Sequence, residues 1–366
     1  MTPTPLSDQQ RVDWLRLART PGVGPVTFAS LIARFGSAGE AIAALPGLDA
    51  KRARTVPEAG VIEGELEAAA AIGARVLCSC ESDYSDLLRE LGPPPPVITV
   101  RGRVELLNTR TLAMVGARDA SAAGRKIARD MARALGAAGL TTVSGLARGI
   151  DGEVHAASLE TGTIAVLGGG VDHIYPPQHR DLYTAVAERG LIVSESPLGH
   201  RAQARDFPRR NRIITGLSLG VVVVEAAERS GSLISARTAG EQNREVMAVP
   251  GSPLDTRASG TNRLLREGAI LVRHADDVIE AVTSLSQNLF RAPVEPFAFD
   301  LSDGDVPRGD VERVLAALSP APMGMDEIAR TCALPVSRVV AILVELELAG
   351  EAATLAGGLA VRLYGD

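Results

Sequence analysis

From Thr111 onward the chain repeats one pattern, a short β-branched apolar run followed by a helical segment. The runs are TLAMVGA, LTTVSG, TIAVLGGG, LIVSES, GVVVVEA, VMAVPG and AILVR. Between them lie SAAGRKIARDMARALGAAG, GIDGEVHAASLETG, HRDLYTAVAERG, SLISARTAGEQNRE and TNRLLREG. Apolar runs without polar alternation are buried on both faces, and strands that alternate with helices form βαβ units. The pattern predicts an α/β fold centred on a Rossmann-like, doubly wound, mostly parallel sheet. Aromatic residues make up only 3% of the chain, so Ala, Val, Leu and Ile must build its cores.

The flanks read differently. Residues 8–73 carry helical spacing in four short segments, with Ser37 placed to cap the third. The first two are separated by PGVGP, as in a helix-hairpin-helix, whose glycine amides can meet a phosphate. No Lys or Arg flanks the turn directly, so the expectation is a tight turn that packs two helices. Residues 74–110 hold two strands, around RVLCS and VITVRG, joined through LGPPPP. LSQNLFRAPVEPFAFDLSDGDVPRG has no periodicity and reads as a linker. Beyond it, three helices and a β-hairpin (EAATLAGGLAVRLYGD) spell a winged helix. The expected domains are 1–75, helical and SAM- or helix-hairpin-helix-like; 76–285, Rossmann-like; 286–309, linker; and 310–366, winged helix.

At 366 residues two or three domains are expected. No apolar run reaches membrane-spanning length and the N-terminus does not read as a secretory signal, so a cytoplasmic location is expected. Cys78, Cys80 and Cys332 have no matching cluster, which argues for reduced thiols rather than a metal site. A net charge of −6 excludes a uniformly basic nucleic-acid-coating surface but leaves room for a local basic groove.

Ligands of open parallel sheets bind outside the carboxyl ends of the strands, so the loops there carry the chemistry. After TLAMV come Gly116, Arg118 and Ser121, a tight turn, a guanidinium and a helix cap, which together suit an anion. The spacing is not the dinucleotide fingerprint, and no NAD or other cofactor is expected. After LTTV come Ser144, Gly145, Arg148 and Gly149, with Asp151 and His155 on one face of the next helix. Those two read either as a base with its orienter or as a pair that fixes the loop. No nucleophile elbow accompanies them, which favours the second reading. After TIAVL, Gly168, Gly169 and Gly170 permit close backbone approach. Arg229, Ser230, Gly231 and Ser232 repeat the loop-to-helix pattern after GVVVVEA.

Five arginines fall between Arg201 and Arg212, ending in FPRRNR just before a buried strand. Pro208 can open a helix, placing Arg210, Asn211 and Arg212 on its first turn. Arg210 and Arg212 are expected to hold phosphate, Asn211 to fix the loop or touch a base, and Arg209 to face solvent. Phe207 offers a stacking face that no salt bridge needs.

These residues resemble a known family. VGAR, SGLARGIDGEVHAASLETGTIAVLGGGVDHIYPPQH, SESPLG, FPRRNRIITGLSLGVVVVEAAERSGSLISARTAGEQNREVMAVPG and GTNRLLREGA are similar to the DNA-processing protein A (DprA, or Smf) family across about residues 110–275. The resemblance implies a homodimer, without catalytic turnover, that binds single-stranded DNA in a basic pocket. It also implies loading of the RecA recombinase on incoming strands in natural transformation. It makes Arg118, Phe207, Arg210, Asn211 and Arg212 the DNA contacts, with SGLARGID and RSGS shaping the pocket. Many members carry a lysine shortly before the Phe-Pro pair; here Arg201 or Arg205 would have to serve.

Two other classes compete. A nucleotide-processing enzyme of phosphoribohydrolase type would use Glu195 and Asp151, but lacks the glycine-rich string such enzymes carry. A transcription regulator would read DNA with the last helix of the winged helix, where Arg338 is the cation able to reach a base.

Overall fold

The computed structural model describes residues 5–48, 55–291 and, within 308–363, all but 337, 340, 341, 344, 345, 347–350 and 356–358. Contacts divide the chain into two units, Met1–Leu289 and Phe290–Asp366. Among the described residues no single helix is long and apolar enough to cross a membrane.

The first unit opens with helices α1 (Asp8–Arg19), α2 (Pro25–Phe35), α3 (Ala38–Leu48) and α4 (Ala59–Ala71). Strand β1 (Ala74–Cys78), short helix α5 (Asp86–Arg89) and strand β2 (Val97–Gly102) follow. Strands and helices then alternate: β3 (Thr111–Val115), α6 (Ala122–Ala137), β4 (Thr141–Ser144), α7 (Ile150–Ser158), β5 (Thr163–Leu167), α8 (Arg180–Arg189) and β6 (Leu191–Ser194). The alternation continues through α9 (Asp206–Gly216), β7 (Gly220–Val223), α10 (Ser232–Glu241), β8 (Glu245–Ala248), α11 (Ser259–Arg266), β9 (Ile270–Leu271) and α12 (Ala275–Arg291).

The nine strands form one sheet in the order β1-β2-β6-β5-β4-β3-β7-β8-β9. Only β2 runs against its neighbours, antiparallel to β1 and β6. The sheet is therefore the mostly parallel, doubly wound one that the apolar runs predict. From β3 the chain winds outward through β4 and β5 to β6, then crosses back to β7 on the other side of β3. That crossover is α9, so FPRRNR lies on the helix that spans the reversal of strand order, and its first turn points at the edge where such sheets bind ligands.

The N-terminal helices share a core with the sheet. Trp14, Leu15, Leu17, Phe28 and Leu31 are buried in one cluster with Val76, Val97, Leu167 and Ile192. Trp14 meets Phe28 edge-on at 4.8 Å and donates its indole N–H to the Pro96 carbonyl at 2.9 Å. Such aromatic pairs contribute about 0.5–1.5 kcal/mol beyond their buried area. Within the hairpin turn Gly22 has φ +80°, which a side chain would strain, and Pro25 opens α2 behind Gly24. Arg19, the cation nearest the turn, is spent on Glu65 at 2.8 Å and on the Glu195 carbonyl at 3.2 Å.

The second unit contains α13 (Arg308–Ala317), β10 (Met323–Gly324), α14 (Met325–Cys332), β11 (Ala352–Leu355) and β12 (Leu359–Arg362). Val336, Arg338, Val339, Ile342, Leu343 and Leu346 are helical between them. The strands pair antiparallel in the order β10-β12-β11, over a core that includes Val314, Ile328, Ile342 and Ala360. Three helical segments and a wing make this a winged helix. The expected linker, 286–309, differs at both ends, because α12 continues to Arg291 and α13 begins at Arg308. Residues 292–307 of it lie outside the described residues.

Candidate nucleic-acid interface

Two strand-end loops brace each other. A Cβ on Gly116 would stand 2.5 Å from Ile150, and one on Gly149, at φ +77°, would stand 2.2 Å from the Ala117 carbonyl. Glycine is required at both, so the β3 and β4 loops pack back to back. The β4 loop is also tied from below. Asp151 accepts from the Gly145 and Ala147 amides at 3.1 and 3.3 Å, and His155 Nε2 accepts from the Leu146 amide at 3.3 Å. Asp151 and His155 do share a face, and both fasten this loop. Ser144 is fully buried and donates to the Met114 carbonyl at 2.7 Å, so it supports the loop from inside.

His155 lies against Thr163 Oγ1 at 2.7 Å on its Nδ1 side. Burial, with help from His179 and Arg210, pushes its pKa down to about 3. An unfolded histidine takes its proton near pH 6.5. Below that pH the unfolded state binds the extra proton and the folded state refuses it, so stability falls with pH throughout the window from 6.5 to about 3. The expected loss between pH 7 and pH 5 is about 2 kcal/mol in urea unfolding. A His155→Gln variant should lose this component; equal pH slopes in variant and wild type would refute it.

Helix α9 presents two faces. Asp206 accepts from the Gln203 amide and from His200 Nε2, both at 2.8 Å, and so fixes the loop that leads into the helix. Phe207, Arg210 and Asn211 then share one side by helical spacing, and Arg209 and Arg212 share another. On the second side, Arg212 bonds Glu195 Oε1 at 2.5 Å and Arg209 lies 3.1 Å from Oε2. The carboxylate that a nucleotide-processing enzyme would use is thereby bound by two guanidinium groups. Arg212, expected to hold phosphate, spends its charge on Glu195, and Arg209 is the more exposed of the two.

The first side builds the site. Arg210 is only 7% exposed, and its Nη1 donates to the Gly145 and Val166 carbonyls at 2.5 Å each. It therefore ties the ends of β4 and β5 together, and its Nε is left without a partner. Burial lowers its pKa to about 10, opposed by the buried Asp151, so the group stays charged. Asp151 is pushed upward by the same burial, against the pull of Arg210 and the loop amides. Phe207 lies on this guanidinium at 5.9 Å, with Arg118 at 5.3 Å and the Tyr175 ring at 5.8 Å.

Phe207, Arg118 and Arg210 separate two adjoining clefts. The smaller, ≈320 Å³, is bounded by Gly145, Arg148, Gly168, Gly169 and Tyr175. At Gly169 a Cβ would stand 2.8 Å from the His200 carbonyl, so the β5 turn needs glycine there. The larger, ≈760 Å³, runs past Gly116 and Asn211 to Arg229, Ser230, Gly231, Ser232 and Arg257. Ser230 and Ser232 bond each other there through their hydroxyls at 2.7 Å. Arg148 reaches Asp119 at 3.6 Å and remains more than half exposed. Ser121 does not reach either cleft with a free group. It caps α6 through the Gly124 amide at 2.9 Å, and its own N–H goes to Glu225 at 2.8 Å.

Sequence reasoning passed over Tyr175 and Arg257. Both stand in loops that follow strands, β5 and β8, so reading every residue after a strand end would have found them. In the second unit, Arg338 lies 3.9 Å from Asp310. Among the described residues no group of His, Cys, Asp and Glu could hold a metal ion.

The fold and this edge define a Rossmann-like α/β protein with an arginine- and aromatic-lined cleft at its point of strand reversal. Comparison with known proteins narrows the class. Residues 75–283 match the family described as DNA recombination-mediator protein A, 8–68 a DprA-like N-terminal HHH domain, and 305–358 a DprA winged helix domain. Protein Smf of Escherichia coli is 42% identical over 273 residues, covering 74% of this chain and 72% of that protein. DNA processing protein DprA of Bacillus subtilis is 40% identical over 211 residues, 57% of this chain and 71% of that one. The crystal structure of DNA processing protein A from Streptococcus pneumoniae superposes with TM-score 0.64 at 28% identity, over 76% of this chain and 98% of that one. A Helicobacter pylori DNA processing protein A, described for its single-stranded DNA binding mode, superposes with TM-score 0.53 at 27% identity, over 59% and 96%. The chain belongs to the DprA/Smf family of DNA-processing proteins.

Proposed function

We propose that this chain binds single-stranded DNA along the carboxyl edge of its sheet and hands it to the RecA recombinase during transformation and recombination. The observation that carries the reading is Phe207, set between the Arg118 and Arg210 guanidinium groups and the Tyr175 ring at the junction of two clefts. An unpaired base can stack on such a surface and a duplex base cannot, while the cations neutralise the backbone. Arg118, Arg148, Arg229 and Arg257 are the phosphate partners in this reading, and Gly168 and Gly231 leave the backbone open to the strand, whereas Gly116, Gly145 and Gly169 shape the loops by packing against Ile150, Arg210 and the His200 carbonyl. Arg212 and Arg209 act at one remove, by holding α9 to Glu195.

The same reading makes the protein a cytoplasmic homodimer of four parts, 1–75, 76–285, 286–309 and 310–366, that performs no turnover. The two carboxylates a hydrolase would use, Glu195 and Asp151, are engaged by arginines and by loop amides. The test is fluorescence anisotropy with labelled oligo-dT and a duplex of equal length over a salt series. Affinity for oligo-dT should be at least about tenfold higher, with a log–log slope near −0.7 per phosphate contacted. Equal affinity for the duplex would sink the reading.

A further inference from the structure

We propose that Glu225 is a resident anion in the phosphate seat of this sheet, and that it determines what the fold refuses: free phosphate and mononucleotides at the point of strand reversal. In open α/β sheets a phosphate sits at the N-terminus of the helix that follows the first strand of the winding. Here that helix is α6, after β3. Glu225 follows β7, which lies directly beside β3 with Val222 opposite Met114. The residue is 8% exposed, and its Oε2 accepts the Ser121 N–H at 2.8 Å.

Gly124 supplies a second, independent observation. It lies in the first turn of α6, where glycine is unfavourable relative to alanine. A Cβ there would stand 2.8 Å from Glu225 Oε2 and 3.0 Å from its carboxyl carbon. The carboxylate thus fills the space the methyl would take, which explains why this helical position is glycine. Ser121 Oγ accepts from the Gly124 N–H at 2.9 Å. Two of the seat's amide donors, those of Ser121 and Gly124, and the volume beside Gly124 are taken by the chain itself, and the positive end of the helix dipole holds the carboxylate in place. An incoming phosphate would meet a like charge at hydrogen-bonding distance. Anionic ligands are left to the clefts beside Phe207. This inference stands independently of the single-strand reading.

Thermal unfolding of the full chain in potassium phosphate, against potassium chloride of equal ionic strength, tests it. At ten times the dissociation constant, phosphate should raise the midpoint of Glu225→Ala by roughly 2–4 °C more than that of the wild type. Glu225→Gln removes the charge but keeps the shape and an oxygen for Ser121, so its phosphate response should lie well below that of Glu225→Ala. No extra response in Glu225→Ala, or an equal gain in Glu225→Gln, overturns the proposal. Gly124→Ala covers the case in which Glu225→Ala cannot be recovered folded. Its methyl would displace the carboxylate, so it should lower the midpoint, against the rise that glycine-to-alanine ordinarily brings in a helix. A rise would overturn the packing on which the proposal stands.

Discussion

Arg210→Ala should cost roughly 3–5 kcal/mol of stability, as expected when removing one buried charge leaves an opposite buried charge uncompensated, and should abolish oligo-dT binding with it. The guanidinium bridges the carbonyls of Gly145 and Val166, which end two neighbouring strands, and stands beside the buried Asp151. Its loss leaves those carbonyls without this donor and Asp151 without the positive charge that offsets its burial. It also removes the floor on which Phe207 rests. Arg210→Met, which restores most of the volume but none of the donors, should recover little of the loss. Urea unfolding of both variants decides the matter. A cost under about 1 kcal/mol in the alanine variant would show Arg210 to be a surface cation, because exposed pairs are worth no more than that.

That role was only partly legible in the sequence. GVVVVEA and its sister runs announce a parallel sheet, because unbroken apolar strands are buried on both faces whatever their neighbours. Pro208 likewise announces α9, although the helix begins two residues earlier, at Asp206, so that Arg210, Asn211 and Arg212 fall on its second turn rather than its first. The faces of α9 are a different matter. A run of arginines does not say which carboxylate each one will meet, and Glu195, 17 residues before Arg212, is brought there by the end of β6. Two of the three arginines in FPRRNR therefore turn to an acid that the motif does not contain. The third is buried because the carbonyls at the ends of β4 and β5 need a donor. Asp151 and His155 show the converse. Their spacing correctly puts them on one face, yet what they bond is the preceding loop, whose path depends on Gly149 and on Leu146 at φ 57°. Tyr175 stands in a strand-end loop and could be named as a candidate from that alone, but its placement beside Phe207 depends on how the β5-to-α8 connection folds over the sheet edge, and no local pattern encodes that.

Phe207→Ala should weaken oligo-dT binding by roughly 5- to 150-fold, since a base stacked on an aromatic ring contributes roughly 1–3 kcal/mol. The ring also orients Arg118, whose guanidinium lies over it at 5.3 Å, so the loss includes part of that cation–π contact. The salt dependence separates stacking from charge. Phe207→Ala removes no cation, so its log–log slope should stay close to that of the wild type. Arg118→Ala should lower the slope by about 0.7, the value of one phosphate contact on a single strand. Phe207→Trp, which keeps a π face for both the base and the guanidinium, should retain most of the affinity. Arg212→Ala should act mainly through α9, shifting stability more than slope, because its charge is already spent on Glu195. If Phe207→Ala and Arg118→Ala instead lowered the slope equally, the division of labour between ring and cation would be wrong and Phe207 would matter only as the support for Arg118.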